Sequence, residues 1–266
     1  MDRTAIAGLI ASRLDAEGSA TRAQYAAGNY FIVDDLLPAE LAREIHASFP
    51  DPSAMMLRKS MRELKYVTSQ MDGCAKLLDE IVFAFQDPRV VAAVARATGL
   101  EALEPDPKLY AGGVSLMGRG HYLNPHIDNS HDMDRARYRV LNLLYYVSPE
   151  WKVEDGGNLE LWPRGARGEP LTLHSRFNRL VVIATNRTSW HSVSAVRADR
   201  NRTCVSNYYF SPVSPEGEDY FHVTSFRGRP GQPVRDLLLR ADAALRAVVR
   251  KLRPSGVVRT SHYYKR

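Results

Sequence analysis

The chain has 266 residues, 44% of them hydrophobic and 25% charged, with a net charge of +6 and a pI near 9.3. That length can bury one sizeable core, as one domain or one domain with extensions. No run approaches about 18 uncharged apolar residues, so no membrane span is expected, and the start lacks the basic-then-apolar pattern of a secretory leader.

Residues 3–15 and 38–48 carry helical apolar spacing, the second with Pro38 at its first helical position. Between them Tyr30-Phe31-Ile32-Val33 reads as a short strand. The charged run Arg62-Glu63-Leu64-Lys65 reads as a solvated face. Residues 73–99 predict two helices, broken near Asp87-Pro88 and stopped at Gly99. After Pro105-Asp106-Pro107 the character changes to β-like runs at 109–117, 140–147, 158–162, 169–174, 179–185, 191–196 and 202–210. Gly, Pro, Asn and Asp punctuate them, as in a sandwich or barrel. Helical spacing returns over 233–252 and stops at Pro254-Ser255-Gly256. The expected organisation is a helical region over 1–105 packing on the core, a β core over 106–212, and an extension over 213–266 with a basic helix.

The two cysteines, Cys74 and Cys204, make no disulfide framework. A reducing, cytoplasmic setting is therefore the expectation, and any metal must be held by histidines and carboxylates. The basic excess lies partly in the tail, at Arg246, Arg250, Lys251, Arg253, Arg259, Lys265 and Arg266. It reads first as a soluble surface, with membrane contact by the basic helix and an anionic substrate as sharper readings. No nucleic-acid motif is present, so no nucleic-acid partner is expected.

His126 and Asp128 stand two apart, so on an extended chain they point to one face and can hold one metal ion. His191, at the start of a later β run, can supply a third ligand. Two histidines and a carboxylate on one side leave the other coordination positions open, the facial arrangement of iron(II) oxygenases. The competing reading is a polar surface loop, since Asn129-Ser130-His131-Asp132 is polar throughout. Arg202 opens the last β run. An inward arginine in a closed barrel needs an anion, which a dicarboxylate supplies through a bidentate pair. Ser206, four residues on, shares its face, and Tyr146 offers a hydroxyl from another strand. His131, Asp132 and Asp134 read as solvated, His121 as structural, and Trp151 and Trp190 as packing residues, Trp190 being placed to wall the site. Asn142 and Asn207 lie on core strands, where a buried amide needs partners; cofactor or substrate contact is one source of them.

Residues 108–212 resemble the prolyl-hydroxylase-like group of 2-oxoglutarate and Fe(II)-dependent oxygenases. The resemblance runs through His126-Ile127-Asp128, the stretch from Arg139 to Val147, Trp151, Asp155-Gly156-Gly157-Asn158-Leu159-Glu160-Leu161, Arg179-Leu180-Val181-Val182-Ile183, His191-Ser192-Val193 and Arg202. It implies a double-stranded β-helix (jelly-roll, cupin-like) core, and so an α+β chain with N-terminal helices and a C-terminal helix. It implies iron ligands at His126, Asp128 and His191, with Arg202 and Tyr146 on the far carboxylate of 2-oxoglutarate. Ser206 matches a hydroxyl-bearing position, and Leu144, with Asn142 on the same strand, would line the co-substrate pocket. The gap from His191 to Arg202 is longer than the family's usual one, which makes Arg200 a rival. Asp128 stands where halogenases of the family carry a small residue, which favours hydroxylation.

The implied function is a dioxygenase that hydroxylates an unactivated C–H bond, using Fe(II), 2-oxoglutarate and O2, with ascorbate as an accessory reductant. A small-molecule substrate, such as an amino acid or natural-product intermediate, is the first expectation. The N-terminal helices and residues 213–232 would then cover the barrel mouth. The alternatives are a protein prolyl hydroxylase, a non-catalytic binding barrel, and a cupin-type metalloenzyme with no need of Arg202.

Overall fold

In the computed structural model, which describes residues 1–110, 112–252 and 264, the N-terminal part mixes helices with strands. α1 (Arg3–Ala16) starts at Asp2, whose carboxylate accepts the Ala5 N–H, and buries Ile6, Ala7, Ile10, Ala11 and Leu14 along one stripe. α2 (Gly18–Gly28), which the sequence reading lacked, leads into β1 (Tyr30–Val33). Thr21 is the one side chain it buries, so it has no apolar stripe to read. α3 (Ala39–Ala47) begins after Pro38, which is extended and caps the helix instead of opening it.

β2 (Met56–Lys59) and β3 (Glu63–Thr68) form a hairpin where the expectation was a solvated charged run within the helical N-terminal region. α4 (Lys76–Ala84) and α5 (Pro88–Thr98) are the two helices predicted over 73–99. Asp87 caps α5 by accepting the Arg89 N–H, and Gly99 closes it in the left-handed conformation at φ 72°. The remaining strands are β4 (Glu104–Pro105), β5 (Gly113–Met117), β6 (Tyr122–Ile127), β7 (Tyr138–Tyr146), β8 (Leu159–Leu161), β9 (Leu171–Leu173), β10 (Arg179–Ala184), β11 (His191–Val193), β12 (Arg202–Ser211) and β13 (Ser225–Phe226), followed by α6 (Pro233–Leu252). The predicted helix stop at 254–256 and the tail cations beyond 252 lie outside the described residues.

All strand pairings among the described residues are antiparallel, in the order β1-β10-β7-β12-β5-β3-β6-β11-β8-β9. β3 turns the corner between the two walls of the curl. Its Tyr66–Thr68 end pairs with β5, while Glu63 and Leu64 pair with β6. The curled sheet is the expected double-stranded β-helix, and with its helices the chain is α+β.

Alternation along the strands divides the core in two. Leu141, Leu143 and Tyr145 of β7, Leu180 and Val182 of β10, and Val205 and Tyr209 of β12 face α1, α4 and α5. Tyr146, Val181, Ile183 and Cys204 face the interior of the curl with Leu159 and Leu173. Both faces are covered, so these strands read as apolar runs without a polar side. Among the described residues no helix is long and apolar enough to cross a membrane. α6 leaves Val234, Leu237, Leu245 and Val248 exposed.

Asn178 ties the interior wall to the N-terminal layer. It sits at φ 60°, takes the Leu37 N–H and the Tyr145 hydroxyl on Oδ1, and donates from Nδ2 to the Leu37 carbonyl at 2.6 Å. Asn178→Ala strands these buried partners and puts alanine in a left-handed conformation that asparagine tolerates better. Denaturant unfolding is expected to show a loss of about 3 kcal/mol.

Candidate active site

β6 carries His126 and β11 carries His191, and the register sets the two residues directly opposite each other. Their rings lie 4.1 Å apart between centroids. Asp128, just past the end of β6, places Oδ1 3.7 Å from His126 Nε2 and Oδ2 3.7 Å from His191 Nε2. One donor atom from each of the three lies within 4.8 Å of the others, and all three residues are buried. Each histidine is held by its other nitrogen. His126 Nδ1 donates to the Asn124 carbonyl at 3.0 Å, and His191 Nδ1 to the Ser189 carbonyl at 2.9 Å. Carbonyls only accept, so the proton sits on Nδ1 and the Nε2 lone pair faces Asp128. Asp128 Oδ2 is buried without a hydrogen-bond donor. An orphaned carboxylate oxygen beside two imidazole lone pairs is a donor set that fits a divalent cation.

The charges around this group are displaced accordingly. Burial, and then His191, push the His126 pKa down to about 3. Burial works against ionisation of Asp128, but Arg139 and the histidines outweigh it and bring its pKa to about 2. Phe226 of β13 stacks on His126, with centroids 4.9 Å apart, and covers it from the side of residues 213–232.

On β12 the inward residues are Arg202, Cys204, Ser206 and Tyr208, which line one cavity of about 430 Å³ together with His126, Asp128 and His191. Arg202 is buried, its guanidinium carbon 4.6 Å from the Tyr146 ring. Its side-chain partners are neutral and distant, Ser175 Oγ at 3.4 Å and Met117 Sδ at 3.6 Å. The Tyr146 hydroxyl is buried without a well-formed hydrogen bond, and burial raises its pKa. A buried guanidinium with no carboxylate, beside an unused hydroxyl, fits the far end of a dicarboxylate. Gly157, at φ 63°, makes room for it, since a β-carbon there would stand 2.9 Å from Arg202 Cδ. Arg200 lies outside, bonded to Asp155 at 2.6 Å and to the Pro149 and Glu150 carbonyls. Leu144, Asn142 and Ser206 line the same cavity.

Asn207 faces the other way and donates to the Val82 carbonyl. His131 and Asp132 are buried, not solvated: His131 packs tilted against the Tyr138 ring, and Asp132 pairs with Arg137 at 2.8 Å. Asp134 is exposed and pairs with Lys108. His121 packs tilted against the Tyr66 ring, Trp151 donates to the Gly156 carbonyl, and Trp190 borders a separate surface cleft.

Sequence reasoning missed Arg139 as a site residue. Regular alternation from Asn142 puts it on the helix side. The β7–β12 register slips at Tyr209/Phe210, leaving Val140 as an extra residue, and this bulge turns Arg139 inward. There it is buried, 3.6 Å from Asp128 Oδ1 and 4.4 Å from the Tyr208 ring, with Nε and Nη2 unpartnered. Glu63 and Lys65 of β3, with Arg58 of β2, also line the cavity. For Glu63 and Lys65 the signal was the odd-numbered alternation within the charged run.

Residues 112–210 match the family described as the 2OG-Fe(II) oxygenase superfamily. Prolyl 3-hydroxylase OGFOD1 of Xenopus laevis is 34% identical over 84 residues, 30% of this chain and 16% of that protein. Residues 112–210 are thus similar to 2OG-Fe(II) oxygenases, and part of the chain is similar to a prolyl 3-hydroxylase. The matched segment spans about a sixth of the length of that curated relative. Among solved structures, a Pseudomonas putida prolyl-4-hydroxylase shares the fold at a TM-score of 0.56 and 20% identity, over 73% of this chain and 98% of that one. The non-haem α-ketoglutarate-dependent epimerase SnoN from nogalamycin biosynthesis shares it at 0.55 and 16%, over 84% and 89%.

Acid tests the electrostatics of the metal-free site. Unfolded His126 takes up a proton below about pH 6.5, but the native residue resists until about pH 3. The unfolded state therefore binds more protons across that window, and stability falls as pH falls through it. Asp128 is ionised in the native state down to about pH 2 and adds a further loss below its ordinary range. Unfolding measured from pH 7 to pH 4 is expected to show stability declining by a few kcal/mol, with a shallower decline in His126→Gln.

Proposed function

We propose that the chain is an Fe(II)- and 2-oxoglutarate-dependent hydroxylase acting on a small molecule. The observation that carries the reading is the convergence, in one cavity, of the His126–Asp128–His191 donor set and the unpaired Arg202. One could serve any metal site and the other any anion site. Together they meet the needs of a metal-chelated dicarboxylate.

His126, Asp128 and His191 would hold the metal on one face. Arg202 would pair with the far carboxylate of 2-oxoglutarate, with the Tyr146 hydroxyl donating to it and Leu144 packing against its methylenes. Bound there, Fe(II) and 2-oxoglutarate would supply the oxidising power for C–H hydroxylation by O2, with 2-oxoglutarate leaving as succinate and CO2. The residues orient and shield. The carbonyls of Asn124 and Ser189 fix the imidazole tautomers, Phe226 keeps water from one side of His126, and Arg139 holds Asp128 ionised.

The small-molecule reading rests on the cover over the cavity. β13 pairs with β6 beside His126, and Arg246 of α6 joins the cavity wall through the Thr224 carbonyl and Asp242. The protein-prolyl reading draws on the relatives' names, and a prolyl-peptide arm in the assay separates the two.

His126→Ala, Asp128→Ala and His191→Ala are each expected to remove iron-dependent succinate formation while the circular-dichroism spectrum persists. Arg202→Ala is expected to raise the 2-oxoglutarate requirement at least a hundredfold, the loss of a buried bidentate pair of about 3 kcal/mol or more. Normal succinate release in any of the three ligand variants would overturn the proposal. Metabolite pools that stimulate release more than prolyl peptides do would support the small-molecule substrate.

A further inference from the structure

Resting on the oxygenase reading, we propose that the chamber beside the metal triad binds a polyanionic substrate, whose carboxylate or phosphate groups meet Arg139, Lys65 and Arg58. The argument begins with the hairpin. Arg58 of β2 and Lys65 of β3 stand directly opposite each other in the register. Like charges in that position repel, and burial makes the repulsion worse. A single carboxylate, Glu63, serves both, at 3.7 Å from Arg58 and 3.0 Å from Lys65. The two cations hold Glu63 ionised against the cost of its burial. One positive charge is left over at this wall.

The same shortage recurs on each side. At the mouth, Arg62 and Arg246 share Asp242, at 2.5 and 2.9 Å. Burial, and then the neighbouring Arg62, lower the Arg246 pKa, as expected for two crowded guanidiniums. At the metal end, Asp128 is the one carboxylate paired with Arg139 among the described residues, and Asp128 belongs to the candidate metal donor set. Its Nε and Nη2 have no acceptor, although the residue is 2% exposed.

The cofactors do not absorb this excess. The two charges of the metal and that of Arg202 balance Asp128 and the two carboxylates of 2-oxoglutarate. What remains is one uncompensated cation at Arg139, one at the Arg58–Lys65 pair and one at the Arg62–Arg246 pair. Arg58, Lys65, Arg139 and Arg246 line the same cavity as His126, Asp128 and His191, and the Arg139 guanidinium lies over the Tyr208 ring. The cations therefore ring the space next to the metal. A neutral ring or peptide bond placed there would leave them unpaired, whereas a substrate with two or three negative charges would pair them.

The test uses the full chain loaded with Mn(II) and 2-oxoglutarate without oxygen. It is titrated calorimetrically with inorganic phosphate and, separately, with tricarballylate. The two arms distinguish a phosphate-bearing from a carboxylate-bearing substrate. At least one anion is expected to bind saturably. Its dissociation constant should rise tenfold or more in Lys65→Met and in Arg58→Met and recover in Lys65→Arg. If Mn(II) and 2-oxoglutarate bind but neither anion does, or if both methionine variants bind the anion as tightly as the parent, the inference is overturned and the oxygenase reading stands. If Mn(II) and 2-oxoglutarate themselves fail to bind, the oxygenase reading falls, and the inference falls with it.

Discussion

β6 and β11 pair so that His191 lies against His126, and that register brings the three candidate metal-binding groups within 4.8 Å. Side chains alternate between faces along a strand, so a slip of one residue would turn one imidazole out of the curl. The register is secured from both sides. β11 is held by β8 through His191↔Leu161, and β6 by β3 through Glu63↔Leu123. β3 in turn belongs to the opposite wall through Tyr66↔Leu116, so one strand transmits the position of the large sheet to the metal group.

The interior so formed tolerates charge that a packed core would reject. Asp128 Oδ2, two nitrogens of Arg139, the Asn142 amide oxygen and the Tyr146 hydroxyl are buried without hydrogen-bond partners. Each costs stability of order 1–3 kcal/mol. The outer core offsets that cost, where α1, α4 and α5 cover Leu141, Leu143, Tyr145, Val205 and Tyr209. Each large apolar side chain buried there contributes about 1.5–3 kcal/mol. The division of labour follows strand alternation: one face of β7 and β12 stabilises the fold, and the other carries unsatisfied groups that a ligand can satisfy.

The site also divides along the chain. The triad, Arg202, Tyr146 and Arg139 all lie within residues 112–210, the segment shared with the oxygenase family. Arg58, Arg62, Glu63 and Lys65 precede it, while Phe226 and Arg246 follow it. The groups proposed to hold metal and co-substrate thus sit on the common framework, and those proposed to face the substrate come from the hairpin and the C-terminal segment. The resemblance to prolyl hydroxylases bears on the first set and leaves the second open.

Local pattern made much of this legible. The pair His126 and Asp128 on an extended chain, the later His191, and Arg202 opening a β run are features of spacing and residue type, and spacing survives folding. Helices with an apolar stripe, α1, α4, α5 and α6, were legible for the same reason. α2, with Thr21 as its one buried side chain, carried no stripe, and β6 was hidden by Asn124-Pro125 ahead of His126. Tertiary structure alone decided three matters. A one-residue bulge in β7 turned Arg139 towards Asp128, against the alternation a sequence reader must assume. The pairing of β3 with both β5 and β6 turned a charged run into a cavity wall. The path of Arg200 to Asp155 left Arg202 as the buried guanidinium. Each depends on which distant backbone lies alongside, and no local periodicity records that.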